Sequence, residues 1–138
     1  MPYWVEGVTV PGVAGQLGVE VPGSARDAKA AHQKGFQDDG LLLSFVLPSG
    51  DVDAFVDSLA PEQPLLVRAR PLDGAVPPMT PFSRLGLAEP ETLADVREGQ
   101  VCAPCRGELN SLDVAVVPLD GRAGRVDGGY RVYLRGVD

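Results

Sequence analysis

Residues Leu41–Leu47 read LLLSFVL, a nearly continuous apolar run with Asp39-Gly40 before it and Pro48-Ser49-Gly50 after it. Turn-forming residues at both ends limit the run to a single strand. An apolar stretch of this length without alternation is typical of a strand that is covered on both faces. It therefore predicts the central strand of a sheet.

The segment that follows predicts an amphipathic helix over Asp51–Ala60. Its apolar side chains recur at helical spacing, so that they share one face of the helix. These side chains are Val52, Phe55, Val56 and Leu59. Ser49 or Asp51 is expected to cap the first turn, and Pro61 is expected to end the helix.

The rest of the chain predicts short strands separated by turns. Five segments have strand-like composition: Tyr3–Val10, Gln16–Val21, Leu65–Arg70, Leu112–Val117 and Tyr130–Leu134. The first two are each followed by Pro-Gly, which we interpret as strand-ending punctuation. The last two are expected to form a hairpin with a long loop over residues 119–129.

Three segments are less regular. Ser24–Asp39 is compatible with a short helix or with a solvent-facing strand, and Glu91–Glu98 with one or two helical turns. Leu72–Pro90 contains four prolines and predicts a long ordered loop that is pinned by Met79, Phe82, Leu85 and Leu87.

Together these segments predict one α+β domain that spans residues 1–138. The expected architecture is a mostly antiparallel sheet of about five to six short strands, with one amphipathic helix and a long proline-rich ordered loop. Regular strand–helix alternation is missing from this order, which argues against a doubly wound fold.

The charge of the chain argues against a nucleic-acid partner. The formal net charge is −7, the pI is near 4.6, and the only lysines are Lys29 and Lys34. An acidic surface without a basic cluster repels phosphate backbones and anionic lipid headgroups. We therefore expect no nucleic acid among the partners and no direct binding to a membrane surface.

Both cysteines of the chain lie in one Cys-x-x-Cys motif, Cys102-Ala-Pro-Cys105. Three hypotheses are open: a thiol–disulfide redox centre, half of a metal site, or a local disulfide that pins a loop. A thioredoxin-like centre would need a helix after the first cysteine, whereas a strand is predicted soon afterwards. Structural zinc needs four ligands, and the pair supplies two. We favour the disulfide, which persists in an oxidising compartment.

Other candidate chemistry is sparse. His32 is interpreted as a surface histidine, although a nucleophilic pair with Cys102 or Cys105 is conceivable. Carboxylates cluster at Asp38-Asp39, at Asp51, Asp53 and Asp57, and at Glu89 and Glu91, and we interpret them as helix caps and solvated faces rather than as a calcium loop. No phosphate-binding glycine motif or nucleophile elbow occurs. We therefore expect no catalytic residue, no metal and no cofactor.

Five stretches carry a family resemblance: GFQDDGLLLSFVLP, DAFVDSL, PPMTPFSRLGLAEPETL, VREGQVCAPC and RVYLRGVD. With these stretches the chain resembles a family of small actinobacterial membrane-anchored, exported proteins of unknown function. The resemblance implies an extracytoplasmic domain of the cell envelope, with an N-terminal anchor in the full-length protein as the only membrane attachment. The strand-like start MPYWVEG is in keeping with such an anchor preceding the domain.

These observations lead to three functional hypotheses. The first is a non-catalytic extracytoplasmic domain that binds a protein partner through the loop that contains Pro77, Pro78, Met79, Pro81 and Phe82, together with the loop around Cys102. Met79 and Phe82 would supply an apolar contact patch if they are exposed, or would fill the domain's own core if they are not. The second is a thiol–disulfide oxidoreductase, and the third is a small cytoplasmic interaction protein with both thiols reduced.

Overall fold

A single sheet, with strands numbered along the chain, organises the structure. The structure is a computed structural model and describes residues 2–35, 37–74, 76–105, 107, 109–119 and 129–138. Within these residues the chain forms seven strands, two helices and three 3₁₀ turns. The strands are β1 (Tyr3–Trp4), β2 (Arg26–Lys34), β3 (Gly40–Leu47), β4 (Leu66–Arg68), β5 (Val96–Cys102), β6 (Ser111–Pro118) and β7 (Tyr130–Val137); the helices are α1 (Val10–Leu17) and α2 (Val52–Leu59); the 3₁₀ turns are Ser49–Asp51, Phe82–Leu85 and Pro90–Thr92.

All neighbouring strands are antiparallel, in the order β1-β2-β3-β7-β6-β5-β4. The α+β prediction with a mostly antiparallel sheet is therefore confirmed. The described residues contain one strand and one helix more than the sequence predicts. β6 and β7 pair along their full length, as the hairpin prediction requires, but most of the connection assigned to residues 119–129 lies outside the described residues.

β3 is buried along its whole length, as its sequence predicts. The side chains of Leu41, Leu43, Phe45 and Leu47 join the apolar cluster that includes both helices. Leu42 joins a second cluster on the opposite face of the sheet. Each face of the sheet therefore needs its own cover.

The two helices cover the first face. Phe55 of α2 packs edge-on against Phe45 of β3, with ring centroids 5.2 Å apart. Leu17 of α1 lies over Gly136 of β7, where a β-carbon would collide with the leucine side chain. The predicted helix Asp51–Ala60 is confirmed as α2, but neither Ser49 nor Asp51 forms the expected capping hydrogen bond, because the chain enters α2 from a 3₁₀ turn.

The strand predictions over Tyr3–Val10 and Gln16–Val21 are wrong, because most of these residues lie in or beside α1. Thr9 caps this helix by accepting a hydrogen bond from the Gly12 amide at 3.0 Å, and Pro11 occupies the first turn. Proline suits that position since its missing N–H would have no partner there. Pro-Gly therefore marks a helix start here rather than a strand end.

Two less regular segments also form strands. Ser24–Asp39 contains β2, which has both half-buried and exposed side chains, so the strand alternative is the correct one. Glu91–Glu98 holds only the end of a 3₁₀ turn before β5 begins, so the expected helical turns are wrong beyond Thr92. Strand pairing of Val96–Cys102 with β6 outweighs the local preference.

The proline-rich loop covers the second face of the sheet. Phe82 is 1% exposed and packs edge-on against Tyr133 of β7, with ring centroids 4.9 Å apart. Leu85 and Leu87 pack partly buried beside it, whereas Met79 is 88% exposed. The predicted pinning of the loop therefore holds for Phe82, Leu85 and Leu87, and is wrong for Met79.

Replacement of Phe82 by alanine tests whether this loop is part of the core. Phe82→Ala is expected to lower the free energy of unfolding by about 3–5 kcal/mol, because it leaves a cavity between loop and sheet. Met79→Ala, three residues away, is expected to change it by no more than about 0.5 kcal/mol. Urea unfolding measures both, and equal costs for the two variants would contradict the burial of Phe82 between loop and sheet.

Candidate functional site

The cysteine pair lies where β5 leaves the sheet. Cys102 is the last residue of β5, directly after a register irregularity, and the structure joins it to Cys105 as a disulfide. The Cys105 amide donates to the Leu109 carbonyl at 3.2 Å, and the Ala103 amide donates to the Glu62 carboxylate at 3.1 Å. The pair thus closes a short turn whose two ends are also held by hydrogen bonds.

The disulfide borders a cavity of about 850 Å³. The C-terminal ends of α1 and α2 also line this cavity, through Leu17, Gly18 and Leu59 among others. The two cysteines are therefore partly buried, with the apolar core on one side and this cavity on the other.

The structure divides the predicted contact loop into buried and exposed parts. Pro77 is exposed, Pro78 and Pro81 are half-buried, and Phe82 is buried. Met79 is almost fully exposed and lines a cavity of about 370 Å³ together with Thr80 and Gly40. Of the two predicted apolar contact residues, Met79 is therefore available on the surface and Phe82 is part of the core.

Exposed apolar side chains are concentrated on one stretch of the chain. Seven large hydrophobic residues are exposed in the described part of the chain, and five of them lie between residues 66 and 79. These five are Leu66, Val67, Leu72, Val76 and Met79, and we call them the apolar stretch. Scattered exposed hydrophobic residues are normal, and a contiguous patch is what marks an interaction surface. These five are neighbours in sequence, with Leu66 and Val67 on β4 and Met79 beside Gly40 of β3.

The apolar stretch begins at an open edge of the sheet. β4 ends the strand order, with β5 as its neighbour. The Asp95 amide donates to the Ala69 carbonyl at 3.3 Å, so Ala69 faces β5. Because backbone groups alternate in direction along an antiparallel strand, the N–H and C=O groups of Leu66 and Arg68 point away from the sheet. β4 therefore presents exposed apolar side chains together with backbone groups that no strand of the described residues pairs.

Arg135 of β7 binds the proline-rich loop on the side of the loop that faces the sheet. Its guanidinium donates to the Thr80 carbonyl at 3.3 Å and pairs with Glu91 at 3.2 Å and with Glu89 at 3.3 Å. It also lies over the Phe82 ring, 4.9 Å from the centroid. One side chain from the sheet thus fixes three points of the loop.

Glu89 and Arg68 complete this framework. Glu89 accepts hydrogen bonds from the Phe82 amide at 2.9 Å and the Ser83 amide at 2.8 Å, so that it caps the 3₁₀ turn. Arg68 of β4 binds the Glu98 carboxylate with two nitrogen atoms and donates to the carbonyls of Pro90 and Leu93, both at 2.9 Å. Of the expected helix caps and solvated faces, Glu89 therefore does cap a turn, whereas Glu91 is paired with Arg135 rather than solvated.

A cavity of about 300 Å³ remains between the loop and the sheet. Its walls include Tyr133, Asp113 and Glu91. Desolvation by the surrounding protein raises the pKa of the Tyr133 phenol and the pKa of the Asp113 carboxyl. Arg135 partly offsets the effect on Asp113, and Glu98 adds to it. The cavity is therefore an environment that disfavours additional negative charge.

His32 does not lie near the cysteines. It is on β2, and three strands separate it from β5, which places it about 19 Å away across the sheet. Its Nε2 lies 2.8 Å from a carboxylate oxygen of Asp39, and its side chain is only 16% exposed. His32 is therefore mostly buried, whereas the surface-histidine interpretation expected an exposed side chain. The structure does not support a nucleophilic pair of His32 with Cys102 or Cys105.

Two further observations concern metals and membranes. Among the described residues, no three His, Cys, Asp or Glu side chains converge so as to hold a metal ion. Neither helix in that part of the chain has the length and apolar character that crossing a membrane requires.

Comparison with known proteins found no matching family model, curated protein or solved structure. The resemblance to actinobacterial membrane-anchored proteins therefore stays a prediction.

The sequence interpretation misses the residues that hold the loop. Arg68 and Arg135 lie in strand-like segments whose local pattern gives no partner for either side chain. The apolar positions Val10, Val13, Ala14 and Leu17 do have helical spacing, so this signal could have identified α1.

The Asp39 cluster predicts acid sensitivity. Burial raises the pKa of the Asp39 carboxyl, but hydrogen bonds from His32, Lys34 and the Gly35 amide outweigh it, so the pKa lies below its ordinary value. A carboxyl with a lowered folded-state pKa stabilises the fold above its unfolded pKa, and this contribution is lost as the pH falls through the folded pKa. Asp39 therefore contributes at neutral pH and ceases to contribute in acid.

We expect Asp39→Asn to lower the free energy of unfolding by on the order of 1 kcal/mol at pH 6 and by less at pH 3. Urea unfolding at both pH values measures this difference, and Asp57→Asn on the exposed side of α2 is the matched control. Identical pH dependence in wild type and Asp39→Asn would contradict the assignment.

Proposed function

We propose that this chain is a non-catalytic, extracytoplasmic domain of a cell-envelope protein and that it binds a protein partner. The concentration of exposed apolar side chains on the apolar stretch is the observation that carries the proposal. Burial of such side chains against a partner contributes about 25 cal/mol for each Å² removed from water.

The open edge of β4 favours a partner with an extended segment. Strand addition to a sheet edge gains main-chain hydrogen bonds, and side-chain contacts on both faces supply specificity. Leu66 and Val67 point to opposite faces of the sheet, and both are more than 70% exposed. A strand placed beside β4 would therefore meet an apolar side chain on each face.

The loop continues this surface away from the edge. The loop backbone is held by hydrogen bonds to the side chains of Arg68, Arg135 and Glu89. Met79 lies within this loop, beside the cavity next to Gly40. A rigid base reduces the entropy lost when a partner binds, which favours recognition by this surface.

The extracytoplasmic location rests on the disulfide and on the family resemblance. A Cys102–Cys105 bond closes a very small ring, so it stabilises the fold by less than about 3 kcal/mol, and it persists where the surroundings are oxidising. The anchor implied by the resemblance would hold the domain at the membrane.

A second candidate function is thiol–disulfide exchange, with Cys102 as the attacking thiol in the reduced form. The observation that favours it is the position of the disulfide at the wall of the 850 Å³ cavity, where a substrate segment could approach. The third hypothesis, a cytoplasmic interaction protein, requires both thiols to be reduced.

Photo-crosslinking in the organism that encodes the protein tests the partner surface. A benzoylphenylalanine at position 79 or 67 is expected to give a discrete adduct with one protein, while the same group at the exposed position 57 of α2 gives none. Val67→Lys, which adds a charge at the sheet edge, is expected to reduce the adduct from position 79, whereas Asp57→Lys leaves it unchanged. Equal adducts from all three positions would refute the proposed surface.

Thiol trapping separates the three hypotheses. Alkylation at the moment of lysis is expected to leave Cys102 and Cys105 unmodified, with a reduction potential below about −300 mV for the purified domain. Full alkylation of both residues would favour the cytoplasmic hypothesis. A trapped, accessible pair with a markedly higher potential would favour thiol–disulfide exchange.

A further inference from the structure

Glu62 links the disulfide to the open edge of the sheet. This residue lies in the connection between α2 and β4, and its amide donates to the Val101 carbonyl at 3.1 Å. Its carboxylate accepts a hydrogen bond from the Ala103 amide, also at 3.1 Å. Val101 and Ala103 are the two neighbours of Cys102 in the chain, so Glu62 is bound on both sides of that cysteine.

The disulfide restricts the turn that presents the Ala103 amide to Glu62. Cys102 and Cys105 are the ends of this turn, and the Cys105 amide also donates to the Leu109 carbonyl at 3.2 Å. A disulfide removes conformations from the segment that it closes. In the dithiol form this restriction is absent, so the Ala103 amide has more orientations available than the one that faces the Glu62 carboxylate.

β4 is a short strand whose pairing depends on its attachments. It pairs with β5 at three positions, Leu66–Arg68, whereas β3 and β7 pair at eight. Leu65, between Glu62 and β4, packs over Gly99 of β5, where a β-carbon would lie 2.7 Å from the leucine side chain. Short edge strands with exposed side chains open at low free energy, so the hydrogen bonds of the segment before β4 affect how often the strand is paired.

We propose that formation of the Cys102–Cys105 disulfide orders the β4 edge and that Glu62 transmits this effect. Oxidation joins the two sulfur atoms, and the two thiols release two protons and two electrons that reduce the disulfide of an oxidant to a dithiol. The closed turn then holds the Ala103 amide against Glu62, and Glu62 in turn stays beside Val101 at the start of the segment that leads into β4.

The consequence for binding rests on the partner surface proposed above. Leu66 and Val67 of that surface become fully ordered only where the disulfide forms, which is in an oxidising compartment. Open sheet edges pair readily with other chains, so late ordering confines strand addition to the compartment in which the partner is present. An ordered edge also loses less entropy when a partner strand binds.

Hydrogen exchange of the purified ¹⁵N-labelled domain, with and without dithiothreitol, tests the coupling. The reporter is the Val67 amide, which points to Arg97 of β5. We expect this amide to exchange about threefold to tenfold faster in the dithiol form, as for the loss of one hydrogen bond. The control is the Val5 amide, which donates to the His32 carbonyl at the opposite edge of the sheet and is expected to exchange at an unchanged rate.

Variants at position 62 test whether Glu62 transmits the effect. Glu62→Ala removes the acceptor of the Ala103 amide, so Val67 in its disulfide form is expected to exchange as fast as in the reduced wild type, with no further change on reduction. Glu62→Gln keeps an acceptor oxygen and is expected to retain most of the response to dithiothreitol. Gln63→Ala, at the neighbouring exposed position, is the matched control and is expected to respond as wild type does.

A double variant separates reduction from other effects of dithiothreitol. Cys102→Ser with Cys105→Ser is expected to show the fast Val67 exchange of the dithiol form whether or not dithiothreitol is present. A native amide spectrum shows that each form is folded. If the dithiol form unfolds, Glu62→Ala in its disulfide form decides the question, and unchanged Val67 exchange in that variant would contradict the proposal.

Two further results would overturn the proposal. Equal Val67 exchange in the disulfide and dithiol forms would show that the edge is independent of the disulfide. A response of Glu62→Ala equal to that of wild type would show that Glu62 does not transmit the effect. Both measurements use the domain alone, so their failure is distinct from the failure of the partner surface, which photo-crosslinking detects.

Discussion

Burial of β3 on both faces is the constraint on which the rest of the structure depends. A strand that reads LLLSFVL cannot leave either face in water without losing most of its hydrophobic stabilisation. Phe45 and its alternate neighbours are therefore covered by α1 and α2, and Leu42 by the proline-rich loop. The second face of the sheet carries charged side chains because of the loop that covers it. An irregular loop, unlike a helix, does not pair its own backbone N–H and C=O groups, so side chains must bind them.

The side chains that bind the loop backbone fix the position of the loop. The position of the loop in turn determines where the candidate surface and the cavity lie. Arg135 of β7 and Arg68 of β4 bind carbonyls and carboxylates of the loop and its continuation. Phe82 packs between the Arg135 guanidinium and the Tyr133 ring. Once the loop is fixed, Met79 is directed outward at one side and a polar cavity is enclosed below. The proposed partner surface and the cavity beneath the loop are thus two sides of one segment.

Strong local periodicity makes parts of the fold predictable. LLLSFVL and the helical stripe from Val52 to Leu59 each contain their own evidence of structure, and both predictions are confirmed. The Val10–Leu17 helix escapes prediction because Val-Pro-Gly resembles the end of a strand, although Thr9 and Pro11 suit a helix start. Arg135 pairs with Glu89 and Glu91, more than 40 residues earlier, and no single-sequence pattern encodes such a contact. Burial of Phe82 and exposure of Met79 likewise depend on the tertiary path of the loop.

Native-state hydrogen exchange tests the two-sided burial of β3 most directly. If both covers belong to one cooperative unit, the amides of Leu42, Ser44 and Val46 exchange only through global unfolding, so that their opening free energies equal the free energy of unfolding measured with urea. If the loop were a loosely attached cover, the same amides would exchange through an opening of much lower free energy that is insensitive to denaturant. That second result would contradict a core in which helices and loop cover β3 together.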